Sequence, residues 1–170
     1  MLMTTITIDV LQACEREQAK ELLVESYQQY ETNYTNKAYF ANYLQEIKQS
    51  LYQDKVACVF IAKCQGELLG IVQLYHSSQD AYDWHGITIQ APIIRLLAVH
   101  PKARGNGIAK QLIKHSMTYS SALGAKAVYL HTTDMMADAI RLYEKIGFVR
   151  DANYELNKED FLIKCYRYDL

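Results

Sequence analysis

Arg104-Gly105-Asn106-Gly107-Ile108-Ala109 lies between the apolar run Ile93 to Val99 and a helical pattern that begins near Gly107. A strand that stops at a glycine-rich turn and restarts as a helix leaves several backbone N–H groups without partners. They sit at the positive end of the helix, where phosphate binds. Glycine at 105 and 107 lets the backbone approach phosphate closely, and Arg104 and Lys110 add positive charge. The expectation is a pyrophosphate-bearing cofactor. A P-loop would need Gly-Lys-Ser/Thr where this turn has Gly-Ile-Ala. A dinucleotide fingerprint would need a third small residue where Lys110 stands, and an acid about 20 positions on, where Lys126 to Leu130 has none.

What remains is Arg104-x-x-Gly107-x-Ala109 directly after Leu96-Leu97-Ala98-Val99-His100-Pro101. It resembles the acetyl-CoA motif Gln/Arg-x-x-Gly-x-Gly/Ala of the GCN5-related N-acetyltransferase (GNAT) family. Ala139-x-x-Leu142-Tyr143-Glu144-Lys145-Ile146-Gly147-Phe148 resembles the same family's second cofactor helix, with its Leu-Tyr-x-x-x-Gly-Phe ending. The resemblance runs from Val56 to the C-terminus, and the first 55 residues match in outline only.

The resemblance implies an acetyl-CoA-dependent N-acetyltransferase acting by direct transfer on a primary amine of a small molecule or peptide, without metal. Acetyl-CoA would lie on Leu97, Ala98 and Val99, on the backbone of Arg104, Gly105, Asn106, Gly107, Ile108, Ala109 and Lys110, and on Tyr143. A bulge near Leu97 and Val99 would open a slot for the pantetheine arm, and the Leu97 N–H would face the thioester oxygen. Tyr143 would be the general acid: a phenol of pKa about 10 is nearly matched to a thiol. The sequence departs from the family twice. The strand Ala91-Pro92-Ile93-Ile94-Arg95 lacks the glutamate base of many members, which leaves Asp83, His85 and His131, acting through water. Met136 stands where an asparagine is frequent, so any cofactor contact there would be apolar.

The resemblance also makes the N-terminal helices, about residues 11–52, a wall of the acceptor site. Tyr27, Tyr30, Tyr34, Tyr39 and Tyr43 cluster there, rings suited to a half-wet pocket and equally to helix packing. Asp83, Trp84 and His85 border the acceptor from the loop Ser77 to Gly86. With Glu31, Asp80 and Asp83 at the mouth, a cationic amine is the expected acceptor. Two other classes compete: a non-catalytic acyl-CoA-binding or regulatory domain of the same fold, and a nucleotide-binding module.

At 170 residues the chain is read as one domain, 1–170, with its cofactor core over about 56–150. Half the residues are hydrophobic, and 18 Lys+Arg against 19 Asp+Glu give a net charge of −1. That balance argues against nucleic-acid or anionic-membrane partners. Cys14, Cys58, Cys64 and Cys165 lack metal or disulfide spacing. The N-terminus carries no signal pattern and no run approaches the ~20 apolar residues of a membrane span, so a cytoplasmic location is expected. A homodimer is left open.

These residues need elements to position them. Thr5 to Val10 alternates as a strand, and Asp9 with Gln12 could cap a helix running to about Tyr30. A second helix spans Tyr39 to Leu51. Val56 to Lys63 and Leu68 to Tyr75 form a hairpin across Gln65-Gly66, and Ser77 to Gly86 is a loop. Ile87 to Val99 reads as a strand interrupted by Pro92, a bulge or edge residue. A helix ends at Gly124, Val128 to His131 is a strand, and Asp134 caps a helix stopped by Gly147. Phe148 to Leu156 and Phe161 to Tyr168 read as the last two strands. The fold class is α/β (α+β): a mixed, twisted central sheet of about seven strands with helices on both faces.

Overall fold

The computed structural model describes residues 5–170. Strands β1 (Thr7–Val10), β2 (Cys58–Cys64) and β3 (Glu67–Tyr75) form an antiparallel meander. The β2–β3 turn is Gln65-Gly66, with φ of 51° and 79°. Two left-handed residues match the twist of a two-residue hairpin, and glycine supplies the second without strain.

Helix α1 (Arg16–Gln28) follows a short 3-10 turn, Ala13–Glu15. Its start is closed by Glu15, whose carboxylate accepts the Gln12 N–H at 2.9 Å. The cap expected at Asp9 is therefore one turn late, because Asp9 still pairs with Ile61 in the sheet. Helix α2 (Lys37–Gln49) is capped by Asn36, which accepts from the Tyr39 N–H.

The segment before the phosphate turn differs from expectation. A single helical turn, α3 (Ser78–Ala81), sits inside the expected loop, capped by Ser77. Strand β4 (Ile93–Val99) begins only after Pro92. Pro92 has no N–H for a ladder, and its carbonyl instead accepts from Tyr129 at 3.0 Å. Ile87 to Ala91 stays irregular, tied back by the Ile89 N–H to Ser78 Oγ at 2.8 Å.

Helix α4 (Ile108–Ala122), strand β5 (Ala127–Thr133) and helix α5 (Ala137–Ile146) follow. Asp134 does not cap α5. Its N–H is drawn to Leu162 O at 3.1 Å, and Met136 takes the cap position. The expected strand Phe148 to Leu156 is split into β6 (Val149–Arg150) and β7 (Leu156–Asn157) around a 3-10 turn, and β8 (Leu162–Asp169) pairs with both.

The eight strands run β1-β2-β3-β4-β5-β8-β6, with β7 beside β8. Among the described residues every pairing is antiparallel except β4–β5. On one face α4 and α5 bury Ile108, Leu112 and Tyr143 against Phe60, Val72 and Leu130. On the other, α1 and α2 bury Leu22, Leu23 and Ile47 against Ile61, Ile71 and Leu96. Gly70 lets α4 settle directly on β3: a Cβ there would stand 2.7 Å from Ile108 Cγ2.

Candidate active site

The lone parallel pair is where the sheet opens. β4 matches β5 only through Ile93 and Ile94, so from Arg95 onward β4 leaves its neighbour. On the other side, Gln73 pairs with Arg95 and Ile71 with Ala98, so one β3 residue faces two on β4, Leu96 and Leu97. Leu96 takes φ of 52°, a left-handed conformation that a leucine adopts only under constraint. This is a β-bulge, which bends and twists its strand. It falls at Leu96–Leu97, inside the segment where one was expected. The Leu97 carbonyl accepts from the Tyr27 hydroxyl at 3.3 Å, anchoring the bulge to α1.

A cleft of about 460 Å³ begins at the bulge. Leu97, Ala98 and Val99 form one wall, Arg104, Gly105, Gly107, Ile108, Ala109 and Lys110 another, and Ala139, Leu142 and Tyr143 of α5 the third. The turn is shaped by Gly105 and Gly107 at φ of 80° and 75° and by the Asn106 amide, which donates to Ala103 O and Arg104 O. No protein atom lies within 4 Å of a Cβ built at either glycine, so backbone angle and access to the cleft select glycine, not crowding. The N–H groups from Gly105 to Lys110 have no backbone acceptor among the described residues, and Arg104, Lys110 and Lys145 add positive charge to the walls. Such an end fits phosphates.

A second cavity of about 380 Å³ lies on the other side of the bulge. Tyr27, Tyr34, Tyr39 and Tyr43 of the N-terminal segment line it, as do Asp83 and Trp84. Tyr30 lines the first cleft instead, and His85, Glu31 and Asp80 line neither. Tyr82 and Trp84 stack at 3.8 Å with nearly parallel rings, and the His131 ring meets both edge-on.

Tyr27, Leu97, Met136 and Tyr143 line both cavities, so the two meet there. Tyr143 is 8% exposed, and burial raises its phenol well above the ordinary value. His131 is held at both ring nitrogens, Nε2 on Tyr154 O at 2.9 Å and Nδ1 on the Tyr82 hydroxyl at 3.1 Å. Because the carbonyl only accepts, Nε2 carries the proton and Nδ1 takes the phenol's. Burial lowers its pKa to about 4. A neutral ring with both nitrogens engaged keeps no lone pair for an amine proton. Asp83 is exposed on the rim. Sequence reasoning named neither Tyr82 nor Arg95 as a site residue; the isolated charge in the apolar run Ile93 to Val99 was the available signal for Arg95.

A sheet pried open at one parallel pair, with a turn of unpaired N–H groups at its end, is an arrangement suited to a long phosphate-bearing ligand. Residues 16–148 match the model of the Acetyltransferase (GNAT) family. The chain belongs to the GNAT acetyltransferase family. Among solved structures it is similar to the PaiA N-acetyltransferase of Thermoplasma acidophilum in complex with coenzyme A, with a TM-score of 0.69 at 17% identity over 97% of this chain and 100% of that one. Among curated relatives, the uncharacterized N-acetyltransferase YjgM of Escherichia coli is 44% identical over 48 residues, 28% of this chain and 29% of the relative. N-acetylaspartate synthetase of Danio rerio is 32% identical over 94 residues, 55% of this chain and 30% of the relative. These matches thus span less than a third of either relative. Among the described residues no cluster of His, Cys, Asp and Glu could hold a metal, and no helix is long and apolar enough to cross a membrane.

Proposed function

We propose that the chain transfers an acetyl group from acetyl-CoA directly to a primary amine. The observation that carries this reading is the meeting of two cavities at Leu97 and Tyr143. One is built for a phosphate-bearing arm, and the other is an aromatic chamber of small-molecule size. Direct transfer needs both reactants in place together, held at near-attack distance.

In this scheme the turn Arg104 to Lys110 receives the pyrophosphate, and the opened edge of β4 pairs with the pantetheine amides. The Leu97 N–H supports the oxygen of the thioester as it gains charge. The amine nitrogen attacks the carbonyl carbon, the C–S bond breaks, and Tyr143 delivers its proton to the departing sulfur. Burial makes the phenol a weaker acid, but it raises the proton affinity of a thiolate in the same place too, so the match is kept. The amine's proton leaves through water, with Asp83 rather than His131 as the side chain free to receive it.

The test is release of CoA thiol from acetyl-CoA across a panel of amines. Acceptor-dependent thiol release supports the reading. Tight acetyl-CoA binding without release for any acceptor would instead favour a non-catalytic acyl-CoA-binding domain, and competition by ATP or NAD would favour a nucleotide module.

A further inference from the structure

We propose that the acceptor carries a carboxylate as well as its amine, and that Arg95 binds that carboxylate. The proposal rests on the acetyl-transfer reading above and names the substrate class of the same site.

Arg95 projects from β4 two residues before Leu97 and lines the acceptor cavity. It is half-buried, yet among the described residues it forms no ion pair. Its guanidinium donates to the Ala81 carbonyl and to the hydroxyls of Tyr43 and Tyr75, neutral acceptors that bring no negative charge. The rest of its surroundings are rings, with the guanidinium 4.7 Å from the centre of Tyr82 and 5.7 Å from that of Tyr75. Burial works against this charge, but the group's pKa is not lowered below its ordinary high value, so it stays cationic beside neutral phenols.

A half-buried cation without an anion is costly, and cation–π contacts recover only part of that cost. The molecule nevertheless holds Arg95 in place. Gln73 faces it across the β3–β4 pair, accepts from the Tyr75 hydroxyl at 2.7 Å, and is itself fixed by its amide to Ser50 Oγ at 2.8 Å. Its partners are a carbonyl and phenol hydroxyls, none of them anionic, so the planar fork keeps no charge partner of its own and is matched to a carboxylate. Thr133 Oγ1, also on the cavity wall, is buried without a hydrogen-bond partner, and Lys158 adds a second cation. The carboxylates of Glu46 and Asp83 line the same cavity but are exposed. They stand at the rim, where solvent screens them, and are placed to meet an ammonium group on its way in. A purely cationic acceptor, as the loop acids alone implied, would have to bury its charge beside Arg95. An amino-acid-like zwitterion would not.

The test compares free amino acids with their carboxamides, which keep the amine and lose the negative charge. Two readouts are taken on each: kcat/KM from thiol release, and thermal stabilisation of the CoA-loaded protein. The proposal expects the best acids to exceed their amides at least ~10-fold, as sites built around a buried charge reject analogues that leave it unpaired. In Arg95→Gln that ratio should collapse towards one while the KM for acetyl-CoA stays within about twofold; Arg95→Lys, which keeps charge but loses the fork, should retain part of it. Equal handling of acids and amides by the unaltered protein, preference for amides or polyamines, or silence towards every acid overturns the proposal, whether or not the variants fold. Stabilisation by acids without thiol release would uphold the carboxylate site and overturn acetyl transfer.

Discussion

Tyr143 sits where the two cavities come together and His131 on the wall of the aromatic one, and burial acts differently on each. In the proposed transfer the Tyr143 hydroxyl matters only as the thiolate forms. Tyr143→Phe should therefore lower kcat by ~10²–10⁴-fold with little change in the KM for acetyl-CoA. Single-turnover thiol release checks this, and an unchanged rate would remove the phenol from the mechanism. His131 acts on stability instead. Its folded pKa is about 4 against an ordinary 6.5, so between those values the unfolded chain binds a proton that the folded protein refuses. Stability should be full above about pH 6.5 and fall as pH drops towards 4, by on the order of 3 kcal/mol. Urea unfolding at both ends of that window measures the slope, and His131→Gln should flatten it.

At the scale of elements, two glycines shape the cleft proposed for acetyl-CoA by different means. Gly70 brings α4 against β3, and its missing Cβ would lie 2.7 Å from Ile108 and 3.0 Å from Leu112. Ile108 opens α4 beside the phosphate turn, so displacing it moves the turn. Gly70→Ala should cost ~1–3 kcal/mol from overpacking and weaken CoA binding as well, which denaturation and calorimetry would show together. Gly107 has open space around it but a φ of 75°. Gly107→Val should cost only ~1–2 kcal/mol in backbone strain while removing most CoA affinity. If calorimetry on the folded variant shows undiminished affinity, the phosphates lie elsewhere. The bulge at Leu96–Leu97 completes the cleft: it turns β4 away from β5 just where Tyr27 ties α1 to the Leu97 carbonyl.

For the whole molecule, the cleft proposed for acetyl-CoA draws its walls from β4, α4 and α5 with α1 beside them, so a ligand there would bridge elements that pack on opposite faces of the sheet. Acetyl-CoA at 100 times its dissociation constant should add ~2.7 kcal/mol to unfolding stability, which for a chain of this size is a rise of roughly 5–10 °C in Tm. Gly107→Val should lose that increment while keeping most of its own Tm. A ligand-induced rise of the same size in the variant would count against the turn as the anchoring point.

The glycine turn at 105–107, its flanking strand and helix, and the helix stopped by Gly147 were legible in the sequence. Each depends on local chemistry: glycine at positive φ, unpaired N–H groups at a helix start, and apolar periodicity. Boundaries set by long-range partners were not. Asp134 is a sound local cap until the Leu162 carbonyl claims its N–H, and Phe148 to Leu156 alternates well enough for one strand until a 3-10 turn divides it. The acceptor chemistry was the least legible, since acids in a surface loop are read without knowing what lies beneath them. That Arg95 is half-buried without a carboxylate partner, and that His131 spends both nitrogens on Tyr82 and Tyr154, depends on which strands and loops face each other across the opened sheet. Sequence determines which groups exist and their local geometry; only the tertiary packing decides which charges are desolvated and which are left without a partner.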